Sequence, residues 1–247
     1  MSTMATSQRS NGVVATDDPI GWRSQTRVFL QPIAAPSILG LFGFAGATFL
    51  VAANLAGWFG TARSGMYIFP FAAVFGGVAQ FLAGMWAYRA RDGVATAMHG
   101  LWGSFWIAYG ILWAFAAAGA LRLPAAQFIP LGYWFIVLAT FTMFGAFAAL
   151  FENLSLFAVL ATLAGGSALA AVWYLTGIHG WDRSAGWVLL ASSWLAAYTA
   201  FAMMLEGAAG RVILPLGKPA KRGNVPGRPE HIPLQFELGE PGVRRGQ

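Results

Sequence analysis

His99 stands inside a long apolar run, three residues before Trp102, so the two share one face of a helix. An imidazole in that setting does one of two things. It lines a solute path as a protonatable group, or it sits as a neutral ring satisfied by a neighbouring carbonyl. A second polar residue raises the same question. Residues 75–86 read FGGVAQFLAGMW, and helical spacing places Gly77, Gln80 and Gly84 on one stripe. A Gln80 amide facing lipid would be costly, so it must hydrogen-bond across a helix contact or face a wet cavity. The small residues beside it let a neighbouring helix approach closely, where packing replaces a hydrophobic drive that lipid cannot supply. Gly40, Gly43 and Gly46, and then Gly100, Gly103 and Gly110, repeat the design.

Other chemistry is missing. No Asp, Glu, Lys or Arg lies well inside any apolar run; Glu152 and Glu206 fall at run ends. A carboxylate relay, a buried lysine and an arginine sensor are therefore unavailable. There is no cysteine, hence no disulfide and no thiolate metal site. His179 and His231 fall in a loop and the tail, no histidine pair has ligand spacing, and no glycine loop is followed by lysine. No catalytic set, metal site or cofactor is expected, and the chain does not read as an enzyme.

The elements that would position His99 and Gln80 follow from composition. Of 247 residues, 57% are hydrophobic and 10% charged, against roughly 25% charged in soluble domains. Six apolar runs, near 36–58, 67–88, 94–119, 128–150, 154–177 and 185–206, each hold the roughly 20 residues that cross a bilayer as a helix. The fold class is an all-α integral membrane protein with six transmembrane helices. The connections carry Arg63, Arg89, Arg91, Asp92, Arg122, Glu152, Asp182 and Arg183. With both termini on one side, that side receives twelve of the fifteen basic residues, which predicts cytoplasmic termini in the cell (inner) membrane. The net charge of +6 comes from tails and loops rather than a patch with interleaved aromatics, so no nucleic-acid partner is expected.

Residues 1–34 read as a cytoplasmic segment, polar at first, with an interfacial stretch at GWRSQTRVFLQPIA (21–34). Residues 35–207 form the membrane domain. Residues 208–247 read as a basic, Pro/Gly-rich cytoplasmic tail, disordered or polyproline from 215, with its cations near anionic lipid. LFGFAGATF (41–49) and MFGAFAAL (143–150) echo each other weakly, as a 3+3 inverted repeat would.

Five stretches in order, PSILGLFGFAGATF (36–49), FGGVAQFLAGMWAYR (75–89), WGSFW (102–106), FTMFG (141–145) and GRVILPLG (210–217), resemble the acetate uptake transporter family, the succinate–acetate permeases. The resemblance implies a homo-hexameric ring with one narrow path per protomer. It also implies small carboxylate substrates such as acetate and succinate, with protons as the linked partner. The family's constriction, a Phe, a Tyr and a Leu, falls on Phe44, Trp102 and Leu163. Polar groups assigned to the path or its gating are His99, Thr48, Asn54 and Ser104. Four departures stand out. Ala35-Pro36-Ser37-Ile38 replaces Asn-Pro-Ala-Pro, Ala87 replaces a glutamate, His99 stands where Phe is common, and Trp102 replaces Tyr. Two other readings stay open: a pore for a neutral solute such as urea, an amide or ammonia, and a non-transporting membrane sensor or scaffold.

Overall fold

The computed structural model describes residues 33–61, 64–124 and 127–218. The expected interfacial stretch up to Pro32 and the basic tail from 219 lie outside the described residues. Among the described residues there are six long helices: α1 Pro36–Leu55, α2 Ser64–Ala90, α3 Gly93–Ala117, α4 Ile129–Ala149, α5 Leu154–Thr176 and α6 Trp181–Ala209. Each is long and apolar enough to span a membrane, and short connections run them up and down as one bundle. This is a multi-pass membrane protein.

Unlike a soluble bundle, this one is apolar on its outer surface as well as in its core, and the few polar groups within the helices are largely buried. Phe71, Trp86, Tyr133, Phe144, Phe147 and Trp194 face outward, whereas Gln80, His99, Thr142, Ser167, Ser192 and Thr199 are buried. Lipid solvates aromatic and aliphatic groups, so the scarce polar groups collect where other helices can satisfy them. Ser192 Oγ donates to the Val159 carbonyl at 2.9 Å, and the Ser155 and Thr199 hydroxyls meet at 2.6 Å, tying α5 to α6.

Helix ends follow local rules. Asp92 and Asn153 cap α3 and α5, accepting from Ala95 N and Leu156 N at 2.8 Å. Burial pushes the Asp92 carboxyl above its usual range, opposed by the N–H groups of Ala95 and Val94. Gly177, at φ 68°, ends α5 in the left-handed conformation that glycine adopts without strain.

α2 differs from the expected 67–88. It starts at Ser64, passes through Pro70, and continues as π-helix from Ala72 to Ala79 before returning to α geometry at Gln80. Pro70 has no N–H to give and crowds the preceding turn, so the wider winding directly after it is the local accommodation. The widening also turns the Phe75 carbonyl toward α1: a Cβ on Gly43 would lie 2.6 Å from that oxygen.

Of the expected disordered or polyproline tail from 215, only residues 215–218 are described, and these pack against the bundle. Leu216 is buried, and the carbonyls of Leu216 and Gly217 accept from Ser155 N (3.0 Å) and Leu154 N (3.1 Å). Tyr198 donates to the Pro215 carbonyl at 2.7 Å, and Lys218 pairs with Glu206 at 2.6 Å. The open N–H groups of α5 need acceptors, and this strap supplies two. Leu216→Ala is therefore expected to cost about 2–3 kcal/mol in detergent unfolding. Lys218→Ala, which removes only a partly exposed ion pair, should cost under about 1 kcal/mol.

Candidate functional site

α1, α3 and α5 bring the three expected constriction residues into the interior. Phe44, Trp102 and Leu163 are all buried, at 2%, 3% and 2% exposure. The Phe44 and Trp102 rings meet edge-on with centroids 6.2 Å apart. The Trp102 indole N–H donates to Thr142 Oγ1 on α4 at 3.0 Å, a buried bond across 40 residues of sequence. Trp102 is therefore a ring held from a fourth helix.

Trp102 and Leu163 also wall a cavity of about 30 Å³ between these helices. Its remaining wall is mostly aromatic and aliphatic and includes Thr48, Phe105, Trp106 and Phe135. On the same wall, toward the end of the bundle formed by the α3–α4 and α5–α6 connections, Tyr109 and Tyr174 join their hydroxyls at 2.9 Å. Charged residues among the described helices stay near their ends: Arg89, Asp182, Arg183 and Glu206. No cation or carboxylate of the described residues lines the cavity wall. Among the described residues no cluster of His, Asp or Glu could hold a metal ion.

His99 lies one turn before Trp102, nearer the opposite end. It is buried, with Nδ1 3.5 Å from Gln80 Nε2, the outer limit of a hydrogen bond. Its ring rests against α1, where a Cβ on Gly40 would come within 2.6 Å of Nδ1. Gln80 Oε1 is buried without a partner. His99 and Gln80 thus form a polar contact between α2 and α3 on the other side of Trp102 from the cavity.

The other expected residues separate. Thr48 lines the cavity. Asn54 does not: its amide donates to the Phe59 carbonyl at 2.9 Å and closes the turn after α1. Ser104 also departs from the expectation. It is exposed on the outer surface and returns its hydroxyl to the Gly100 carbonyl of its own helix at 2.7 Å. Its position two residues after Trp102 puts it on nearly the opposite face.

Glycines set how closely α2 approaches α3. A Cβ on Gly84 would lie 2.8 Å from Gly100 N, one on Gly103 2.6 Å from Phe81 N, and one on Gly77 2.9 Å from Ile107 Cγ1. Thr142, Trp106, Tyr109 and Tyr174 were missed by the sequence reading. A signal existed for two of them: His99, Trp102, Trp106 and Tyr109 recur at three and four residues, one face of α3.

Six spanning helices, five of them walling an apolar cavity, define a multi-pass helical membrane protein with an internal cavity. Comparison sharpens this. The GPR1/FUN34/yaaH family profile matches residues 23–217, and the chain belongs to that family. The succinate-acetate/proton symporter SatP of Escherichia coli K12 is 31% identical over 188 residues, covering 75% of this chain and 96% of the relative. The Shigella flexneri symporter of the same name matches equally. A solved structure described as the bacterial acetate channel SatP superposes with a TM-score of 0.69 at 30% identity, covering 75% of this chain and 99% of that one.

Proposed function

We propose that this chain is a permease for acetate and related small carboxylates, carrying them with a proton through the interior between α1, α3 and α5. Phe44, Trp102 and Leu163 form the neck of that path. The observation that supports the reading is the burial of those three residues, Phe44 against Trp102, and Trp102 and Leu163 on the wall of one apolar cavity, in a chain 31% identical to SatP. Bringing a carboxylate into such a neck without a partner costs several kcal/mol. The neutral acid avoids this cost. With a pKa near ~4–5, as for a glutamate side chain, it is below roughly 1% of the total at pH 7, so an acidic exterior favours uptake.

Both termini face the cytoplasm in this proposal, on the strength of the basic-residue bias. The protein works as a homo-hexamer, with the outward aromatic faces shared between lipid and neighbouring protomers.

A pH dye trapped inside proteoliposomes tests the reading. External acetate is expected to acidify the interior faster than in empty vesicles, and excess urea to leave that rate unchanged. Acidification no faster than in empty vesicles, with urea flux present, would transfer the assignment to a neutral-solute pore.

A further inference from the structure

We propose that Tyr109 and Tyr174 form a clasp across the end of the cavity opposite the termini, and that the cavity opens there when their shared hydrogen bond breaks and α3 parts from α5. The identity of the solute that passes rests on the carboxylate-permease reading; the clasp adds a gate to that path.

The helix arrangement puts a weak join at this pair. Among the described residues no Cα of α3 lies within 8 Å of a Cα of α5, so side chains, not backbone packing, bridge the two helices. The hydrogen bond that spans the gap joins the two hydroxyls at 2.9 Å. Elsewhere the ring of helices closes on backbone. A Cβ on Gly186 of α6 would lie 2.8 Å from the Ala52 carbonyl oxygen of α1. At the head of α4, the Phe128 N–H donates to the Tyr174 carbonyl of α5 at 3.0 Å. Separating those pairs would break close backbone packing, whereas α3 and α5 part here at the loss of one side-chain bond.

Each ring is carried by its own side. Phe105 stacks on Tyr109 with centroids 5.3 Å apart, and Phe69 of α2 meets it edge-on at 4.3 Å. Phe135 of α4 stacks on Tyr174 at 5.4 Å. Aromatic pairs in these geometries fix ring orientation, so Tyr109 moves with α2 and α3, and Tyr174 with α4 and α5. One turn further in, Phe105 and Phe135 also meet edge-on at 5.4 Å, an apolar contact that shifts without losing a hydrogen bond.

Position makes the pair a gate rather than a prop. Tyr109 and Tyr174 are the last residues of α3 and α5 on the cavity wall toward the α3–α4 and α5–α6 connections, and Trp102 and Leu163 are the first. Ala170 lines the wall between Leu163 and Tyr174. The two hydroxyls are only partly buried. A neutral bond of this kind is weak in net terms, because each hydroxyl finds water once released.

The chain contains no cysteine, so a thiol placed at Ala170 reports access to the cavity without background. The Ala170→Cys protein, alone and with Tyr109→Phe, Tyr174→Phe or both, is reconstituted, and its modification by methyl methanethiosulfonate is followed by intact mass. Labelled acetate uptake is measured in the same tyrosine variants with Ala170 retained. Each single Phe variant is expected to raise the modification rate about three- to tenfold, the shift that one lost neutral hydrogen bond gives. Uptake at low acetate concentration should rise in proportion, because the open fraction multiplies every later step. The double variant should be no faster than the faster single, since both substitutions remove the same bond. If one single variant is not monodisperse, the other decides. An unchanged modification rate in the single variants overturns the clasp, as does a double variant in which the two effects multiply. Faster modification without saturable acetate uptake would leave the clasp standing as the entrance to the cavity and end the permease reading.

Discussion

Gly84→Ala is expected to lower the thermal midpoint of the purified protein, and Gly84→Leu to remove the monodisperse species altogether. The reason is geometric. The new Cβ would lie 2.8 Å from Gly100 N and 3.1 Å from the His99 carbonyl carbon, and both are backbone that cannot rotate away. α2 must then lift from α3 over several turns, taking the Gln80–His99 contact with it. Overpacking of this kind costs about 1–3 kcal/mol for one methyl, or a drop of roughly 2–12 °C for a chain of this size. Gly100→Ala is the contrast. Nothing lies within 4 Å of a Cβ at Gly100, so a helical alanine should raise stability by about 0.5–1 kcal/mol. Melting both single variants in the same detergent checks the sign. Equal loss in the two would contradict the packing described.

The second large effect concerns the proposed neck. Trp102→Ala deletes the indole between Phe44, Phe105 and the cavity and leaves Thr142 Oγ1 without its donor. If dehydration at the neck limits passage, a wider and wetter neck lowers that barrier. A drop of about 1.4 kcal/mol is tenfold in rate. Acetate flux is therefore expected to rise about tenfold, with a larger proportional rise for the bulkier butyrate. Flux assays on acetate and butyrate, with Thr142→Val as companion, check this. Thr142→Val should move selectivity in the same direction by less, because it frees the ring without removing it. Unchanged selectivity in Trp102→Ala would place the neck elsewhere.

Much of the fold was legible because lipid imposes a length. A run of apolar residues long enough to cross is hard to mistake, and every one of the six became a helix. Boundaries were less legible where the helix rules bend. α2 keeps going through Pro70 because the π-helical stretch absorbs it, and α6 starts at Trp181 because its first turn carries polar residues that hydropathy discounts. The glycines make the limit plainest. Gly100 and Gly103 look alike in sequence, yet a Cβ would be free at one and would strike Phe81 N at the other. Spacing shows that a face exists, not what faces it. For the site, the resemblance named Phe44, Trp102 and Leu163, all of which are buried, while a polar residue near them in sequence proved a poor guide to exposure. Ser104 turned outward, Asn54 turned to its own loop, and Thr48 turned inward. The bonds from Trp102 to Thr142 and from Tyr109 to Tyr174 join residues 40 and 65 apart, a separation that no local pattern encodes.

The central claim, that small carboxylic acids cross this protein through the neck, is tested most directly by labelled acetate uptake into proteoliposomes. The comparison is with and without an inward proton gradient, beside empty vesicles and the Phe44→Ala and Trp102→Ala variants. Saturable uptake above the empty-vesicle leak is expected, increased by the gradient and altered in both variants. Uptake that equals the leak under every gradient, in protein shown to be folded, would contradict it.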